Sequence, residues 1–340
     1  MNFKELCFKL TDISATSGDE RTFSTELVKR LSEYMPCGTD RLGNVSGTLG
    51  NGEFHILLDA HIDQVGLVVR GIDNKGFLLV DKVGSIDARV LTGAEVIVHG
   101  KEDLAGVICS VPPHLQSGNT SDDVNLKAMA IDIGLCSEEA RKLVSVGDRV
   151  TMRSTASELL NNNISARSLD NRAGVAAVLG ALELVKDKLD KVKLSVLLSV
   201  QEEVGRRGAG CGAFSLEPDC AIVVDVGFGD DVYTDKVLTI KLGGGPSIGL
   251  SPILDKELSD EISRVASEKE IPVQNDVMGR STGTNADSIS VVGRGVKTAL
   301  LSIPLRYMHT GNEVINVTDV ELTSRLIAEY LLTKEAELNA

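Results

Sequence analysis

The sequence predicts an α/β protein in which a mainly parallel sheet is sandwiched by helices and interrupted by a small inserted all-β barrel. Three observations lead there. Short apolar-rich runs at 54–60, 192–200 and 221–224 each stop at or just before a histidine or an acid, which is how strands buried on both faces read. Helical patterns, notably 173–189, separate the runs, and strands alternating with helices build parallel sheets covered on both sides. From about 66 to 161 the texture changes to short Val, Ile and Leu runs punctuated by glycine, with only 138–144 helical. That is the texture of a barrel or sandwich.

Taken in order, the chain opens with two helices. Phe3, Leu6, Cys7 and Leu10 share a face of the first, and Phe23, Leu27, Leu31 and Tyr34 a face of the second; Ser17 and Glu20 have capping-box spacing. The run 54–60 delivers His61. The inserted unit then interrupts the first fold, so the catalytic unit is expected to be discontinuous, 1–65 and 162–340, around 66–161. Asp170 opens the next helix. The run 192–200 delivers Glu202 and Glu203, and 221–224 delivers Asp225. A strand-like stretch, 298–303, precedes His309, and an amphipathic helix at 318–332 carries Val320, Leu322, Leu326, Ile327 and Tyr330. Ligands of such sheets gather beyond the carboxyl ends of the strands, which is where His61, Glu203 and Asp225 are expected.

Bulk properties narrow the function. At 340 residues the chain accommodates one catalytic core and a further small domain. Lys and Arg number 35 against 49 Asp and Glu, a formal net charge of -14, and no basic run could track a phosphate backbone, so nucleic acid is not an expected partner. Aromatics are 3% and Trp is absent, which argues against glycan or base stacking. The first residues lack a signal-peptide core and no apolar stretch reaches membrane-spanning length, so a soluble, cytoplasmic protein without membrane partners is expected. The six cysteines show no Cys-x-x-Cys spacing and read as reduced, mostly buried thiols.

The chemistry rests on acids and imidazoles. His61 and Asp63 are alternate residues of an extended strand end, so the imidazole can bind a metal while Asp63 orients a ligand. Asp170 can cap its helix, or its two oxygens can bridge two ions, and the two roles compete. Adjacent buried carboxylates at Glu202 and Glu203 are costly without cations. Successive side chains diverge, which suits Glu203 as ligand and Glu202 as general base. Asp225 and His309 complete the set, whereas His55, His99 and His114 lack such contexts. Carboxylate and imidazole ligands suit zinc or cobalt, with manganese also possible, and the chain reads as a metallohydrolase. The loop 243–246 is no phosphate cradle but a tight loop expected near the cleft, and 281–288 is a connection suited to binding a substrate backbone.

Together, Ala60-His61-Ile62-Asp63, Val111-Pro112-Pro113-His114-Leu115, Ile131-Asp132-Ile133-Gly134, Leu169-Asp170-Asn171-Arg172, Gln201-Glu202-Glu203-Val204-Gly205 and Arg306-Tyr307-Met308-His309 resemble the glutamyl and tetrahedral aminopeptidases, family forty-two of the metallopeptidases, over nearly the whole chain. The resemblance implies a zinc-exopeptidase-like fold and two divalent ions. His61, Asp225 and a bridging Asp170 would hold one ion, and Glu203, His309 and the same Asp170 the other. It implies Glu202 as general base, Asp63 as supporting aspartate, short peptides as substrates, and a β-domain at 66–161 that assembles a homo-oligomer, commonly a tetrahedral dodecamer. Three positions depart from the family's habit: Gln64 stands where glutamate is typical, Asn285 where aspartate is frequent, and an arginine falls within Gly205-Arg206-Arg207-Gly208 where an apolar residue is common. The rival readings are another hydrolase on the same site, a deacylase or endoglucanase, and a metal-free peptide-binding scaffold.

Overall fold

The computed structural model of the chain describes residues 1–109, 129–232 and 239–340. The motif at 111–115, with His114, lies outside them. Among the described residues, eleven strands form one sheet, whose central strands in spatial order are Val192–Ser199, Phe54–His61, Cys220–Phe228 and Lys297–Arg306. These four run parallel. Most flanking pairs, such as Val45–Leu49 beside Val192–Ser199 and Glu313–Asn316 beside Lys297–Arg306, are antiparallel. Parallel pairing thus dominates the centre, where the apolar runs lie, and recurs at the periphery between Ser247–Leu250 and Gln274–Val277.

Burial on both faces of the sheet explains why those runs are apolar-rich rather than alternating. Ile56, Leu58 and Ala60 enter the core beneath helices Phe3–Asp12, Leu169–Val185 and Val317–Asn339, while Leu57 enters a second core with Leu197, Ala213 and Ile289 on the opposite face. Both faces are dry, and each such side chain contributes about 1.5–3 kcal/mol of transfer free energy. Helix Arg207–Leu216 covers the second face. Helix Leu169–Val185 is buried almost all round, as befits a helix wedged between sheet and outer helices.

Six antiparallel strands, Gly66–Ile72, Leu78–Val83, Ala130–Asp132, Asp103–Ile108, Glu95–His99 and Arg149–Met152, close into a barrel in that spatial order. Its interior is filled by Leu67, Val69, Leu78, Val80, Val98 and Ile131, and closure leaves no open edge. The helix in this unit is Ser137–Leu143. The short strand Ser157–Glu158 belongs to the large sheet, through Asn163–Ala166 and then Glu313–Asn316.

Several element ends differ from the sequence reading. The second helix, Arg21–Leu31, stops short of Tyr34, whose amide closes a turn on the Leu31 carbonyl. The last helix, Val317–Asn339, runs beyond 332 because Glu335 reaches back to accept the Lys191 and Val192 amides at the start of a central strand. All six cysteines are free, yet only Cys7 and Cys220 are buried and Cys136 and Cys211 are exposed; the expectation of mostly buried thiols fails because Cys136 is the N-cap residue of helix Ser137–Leu143 and Cys211 lies on an exposed position of helix Arg207–Leu216. Among the described residues, no helix is long and apolar enough to cross a membrane.

Candidate metal centre

The candidate ligands come from five separate elements. His61 ends its strand, Glu202 and Glu203 follow Val192–Ser199, and His309 follows Lys297–Arg306. Asp225 departs from expectation: it lies inside Cys220–Phe228, because Val226 and Phe228 continue the pairing opposite Ile303 and Leu305. Its side chain still reaches the others, with Oδ1 3.6 Å from His61 Nε2.

Asp170 is the hub. Its Oδ1 lies 3.1 Å from His61 Nε2 and its Oδ2 3.3 Å from His309 Nε2. The amide at the start of the helix is served by the neighbouring Asn171, whose Oδ1 accepts the Gly174 amide at 3.0 Å, and not by Asp170. Asp170 and Asn171 themselves have non-helical backbone angles. Glu203 Oε1 lies 3.2 Å from His309 Nε2. Two sets, His61 with Asp170 and Asp225, and Asp170 with Glu203 and His309, each bring three ligand atoms within 4.8 Å of one another; His61, Glu202 and Glu203 form a third.

This donor set fits divalent cations. It offers imidazole nitrogens and carboxylate oxygens without a thiolate, and among the described residues none of its acids pairs with Lys or Arg. The imidazoles therefore carry the positive charge themselves. Burial opposes ionisation of His309, but Asp170 and Glu203 outweigh it and raise its pKa to about 11. His61 is likewise raised, against its burial, by Asp170 and Asp225. Burial, with Asp225, Glu203 and Asp170 nearby, pushes Glu202 up to about 9 despite His61. A cation in the cluster reverses the electrostatic part of each shift.

A shell of hydrogen bonds holds these groups. Asp63 is fully buried; its Oδ1 accepts the Glu202 amide at 2.9 Å and its Oδ2 accepts the Glu203 amide and the Ser17 hydroxyl, at 3.2 and 2.6 Å. His61 and Ser17 keep it ionised below the usual carboxylate range in spite of burial. Ser17 and Glu20 do not form the expected capping box: Ser17 serves Asp63, and Glu20 accepts the Gly18 and Gln201 amides. His309 Nδ1 donates to the Ser85 carbonyl at 3.2 Å, from a segment next to the barrel. That approach requires Gly84, with φ +75°, where a Cβ would lie 3.2 Å from the Glu203 Cβ.

Sequence reasoning passed over Glu313. This buried acid accepts the Asp170 amide at 3.0 Å and the His309 amide at 2.9 Å, fixing two of the candidate ligands through their backbone. Its place four residues after His309 was the available signal. Gln64 is tied to Arg167 at 3.1 Å, and Arg206 pairs with Asp287. His55 is buried against Ser195 and His99 binds Asp103. The loop 243–246 does not line the cleft, since Asp319 draws the Gly243 and Gly245 amides toward the last helix. Residues 281–284 do line it.

Comparison with known proteins agrees with this geometry. The sequence pattern of the M42 glutamyl aminopeptidases matches residues 43–326. A lysyl aminopeptidase of Pyrococcus furiosus is 29% identical over 336 residues, covering 96% of each chain. The structure of an aminopeptidase from the archaeon Desulfurococcus kamchatkensis superposes with a TM-score of 0.91 at 31% identity, over 97% of this chain and 94% of that one. The TET1 peptidase of Pyrococcus horikoshii, described as assembling into a tetrahedron or a large octahedral shell, superposes with a TM-score of 0.86 at 33% identity, over 96% and 98%. The chain belongs to the M42 family of metal-dependent aminopeptidases.

Proposed function

We propose that the enzyme removes the N-terminal residue of short peptides at a centre for two divalent cations. His61, Asp170 and Asp225 would hold one, and Asp170, Glu203 and His309 the other. What supports this most is Asp170, whose two oxygens divide between two imidazoles, each with a further carboxylate beside it. Two ions of the zinc, cobalt or manganese kind supply Lewis acidity toward a carbonyl and make water acidic near neutral pH.

The protein's own groups do the rest. Glu202 takes a proton from the attacking water as the new C–O bond forms, and returns it to the amide nitrogen as the C–N bond breaks. Asp63 positions Glu202 and Glu203 through their backbone amides and orients His61. The segment 281–284 binds the substrate backbone. The unit at 66–161, inserted in a catalytic domain of 1–65 and 162–340, serves self-assembly into a homo-oligomer, in the manner described for the Pyrococcus horikoshii peptidase.

Metal analysis of the purified protein, paired with Glu202→Gln on aminoacyl p-nitroanilides, tests the reading. The expected result is about two ions per chain in both proteins and a loss of kcat of roughly 100- to 10,000-fold in the variant. Retained turnover removes Glu202 from its role; absence of bound metal removes the centre.

A further inference from the structure

A cleft of ≈ 640 Å³ opens over the cluster, and its charges can be paired off one by one. Asp170, Glu202, Glu203 and Asp225 belong to the metal centre with His61 and His309. Arg206, the cation at the rim, is neutralised by Asp287, which also holds the Thr282 and Gly283 amides. One charged group in the lining is left over. Asp276, on the strand Gln274–Val277, lies outside the metal-ligating sets, and its side chain makes no hydrogen bond or ion pair among the described residues. It is half-buried, and burial alone raises its pKa.

Its neighbours in the lining are apolar. Phe228, Val277, Met278 and Met308 line the same cleft, and Phe228 and Val277 are 64% and 74% exposed although large and hydrophobic. A half-buried carboxylate with neither a cation nor a hydrogen-bond donor is an incomplete arrangement, because its desolvation is offset by no charged partner and no donor. Apolar walls ending in one carboxylate match a side chain with a long aliphatic stem and a cationic head.

Resting on the aminopeptidase reading above, we propose that Asp276 is a specificity-determining residue and that the enzyme prefers substrates with lysine or arginine at the N-terminus. The methylene stem lies along Phe228 and the methionines, and the ammonium or guanidinium pairs with Asp276. Glutamyl substrates are disfavoured, because they bring a second carboxylate to a cleft whose lining arginine, Arg206, is already engaged by Asp287.

The test compares kcat/KM on lysyl, arginyl, leucyl and glutamyl p-nitroanilides for the metal-loaded enzyme and for Asp276→Asn and Asp276→Lys. The expected wild-type order places lysyl and arginyl first. Asp276→Asn lowers the lysyl-to-leucyl ratio on the order of 10- to 100-fold, mainly through KM, as expected for loss of one charge-assisted contact. Asp276→Lys raises the glutamyl-to-lysyl ratio. A wild type that favours leucyl or glutamyl substrates, or a ratio unmoved by both substitutions, overturns the role of Asp276 and leaves the peptidase reading standing. Failure to cleave any of the four substrates overturns both.

Discussion

Asn285 Nδ2 donates to Asp59 Oδ2 at 2.8 Å, two residues before His61 on the same strand. It also donates to Ser199 Oγ at 2.8 Å. An aspartate at 285 would set two carboxylates in contact here, so the amide suits this chain's own strand. Asp59 Oδ1 and Asn285 Oδ1 remain buried without a partner, and burial raises Asp59 to about 7. An acid whose folded pKa lies above its unfolded value holds its proton more tightly when folded. Its contribution to stability is complete below about pH 4 and disappears as pH climbs through about 7. Asp59→Asn, neutral throughout, should gain on the parent across that window and end about 2–4 kcal/mol more stable at pH 8. Chemical denaturation of the chelator-treated proteins from pH 4 to 8 checks this, and a pH-independent difference contradicts it.

Loading the centre should release protons. Without cations His309 stays protonated to about pH 11 and His61 is also raised, yet each must be neutral to donate to a metal. Apparent zinc affinity should therefore rise with pH, with about one proton released per imidazole that becomes a ligand. Titration calorimetry at pH 7 in two buffers of different ionisation enthalpy gives the proton count. A count of zero would mean that the imidazoles are not ligands.

The sequence made the central strands legible because burial on both faces leaves them mostly apolar, and His61 and the paired glutamates stand where those runs stop. The barrel was legible from its texture. Asp225 was read as a strand end because an acid breaks an apolar run, whereas Ser302 opposite it keeps the ladder intact and the strand continues. The partners of Glu313, Ser17 and Glu20 were not legible, since Glu313 and Glu20 accept backbone amides, and Ser17 donates its hydroxyl to Asp63, across contacts that only folding makes. Asp276 was equally silent: its meaning lies in having no partner, which no local pattern encodes.

Glu313→Gln tests how far the site depends on that hidden layer. The carboxylate accepts two amides, whereas a glutamine offers one acceptor and turns an NH2 group toward the other donor. Both amides belong to proposed ligands, Asp170 and His309, so their side chains should lose their fixed direction. Metal affinity should fall roughly 10- to 100-fold, read by competition with a chromogenic chelator, while far-ultraviolet circular dichroism stays that of the parent. Unchanged affinity would make Glu313 a purely structural acid.

Two glycines under Asp319 separate backbone strain from steric clash. Gly243 and Gly245 have φ of +75° and +86°, and each donates its amide to Asp319 at 2.8 Å. Alanine at either meets the left-handed penalty of about 1–2 kcal/mol. At 243 the new Cβ would meet the Asn316 side chain at ordinary contact distance, Nδ2 at 3.6 Å and Cγ at 3.8 Å, whereas at 245 it would lie 2.0 Å from the Pro272 carbonyl oxygen. That oxygen is backbone and cannot swing aside. Displacing it disturbs the Gln274 amide bonded to Pro246 and the pairing of Ser247–Leu250 with Gln274–Val277, the strand that carries Asp276. Gly245→Ala should accordingly cost about 1–3 kcal/mol more than Gly243→Ala and should alone change the lysyl-to-leucyl ratio. Paired denaturation and kinetic measurements decide it, and equal costs with equal ratios would show that the loop does not govern the position of that strand.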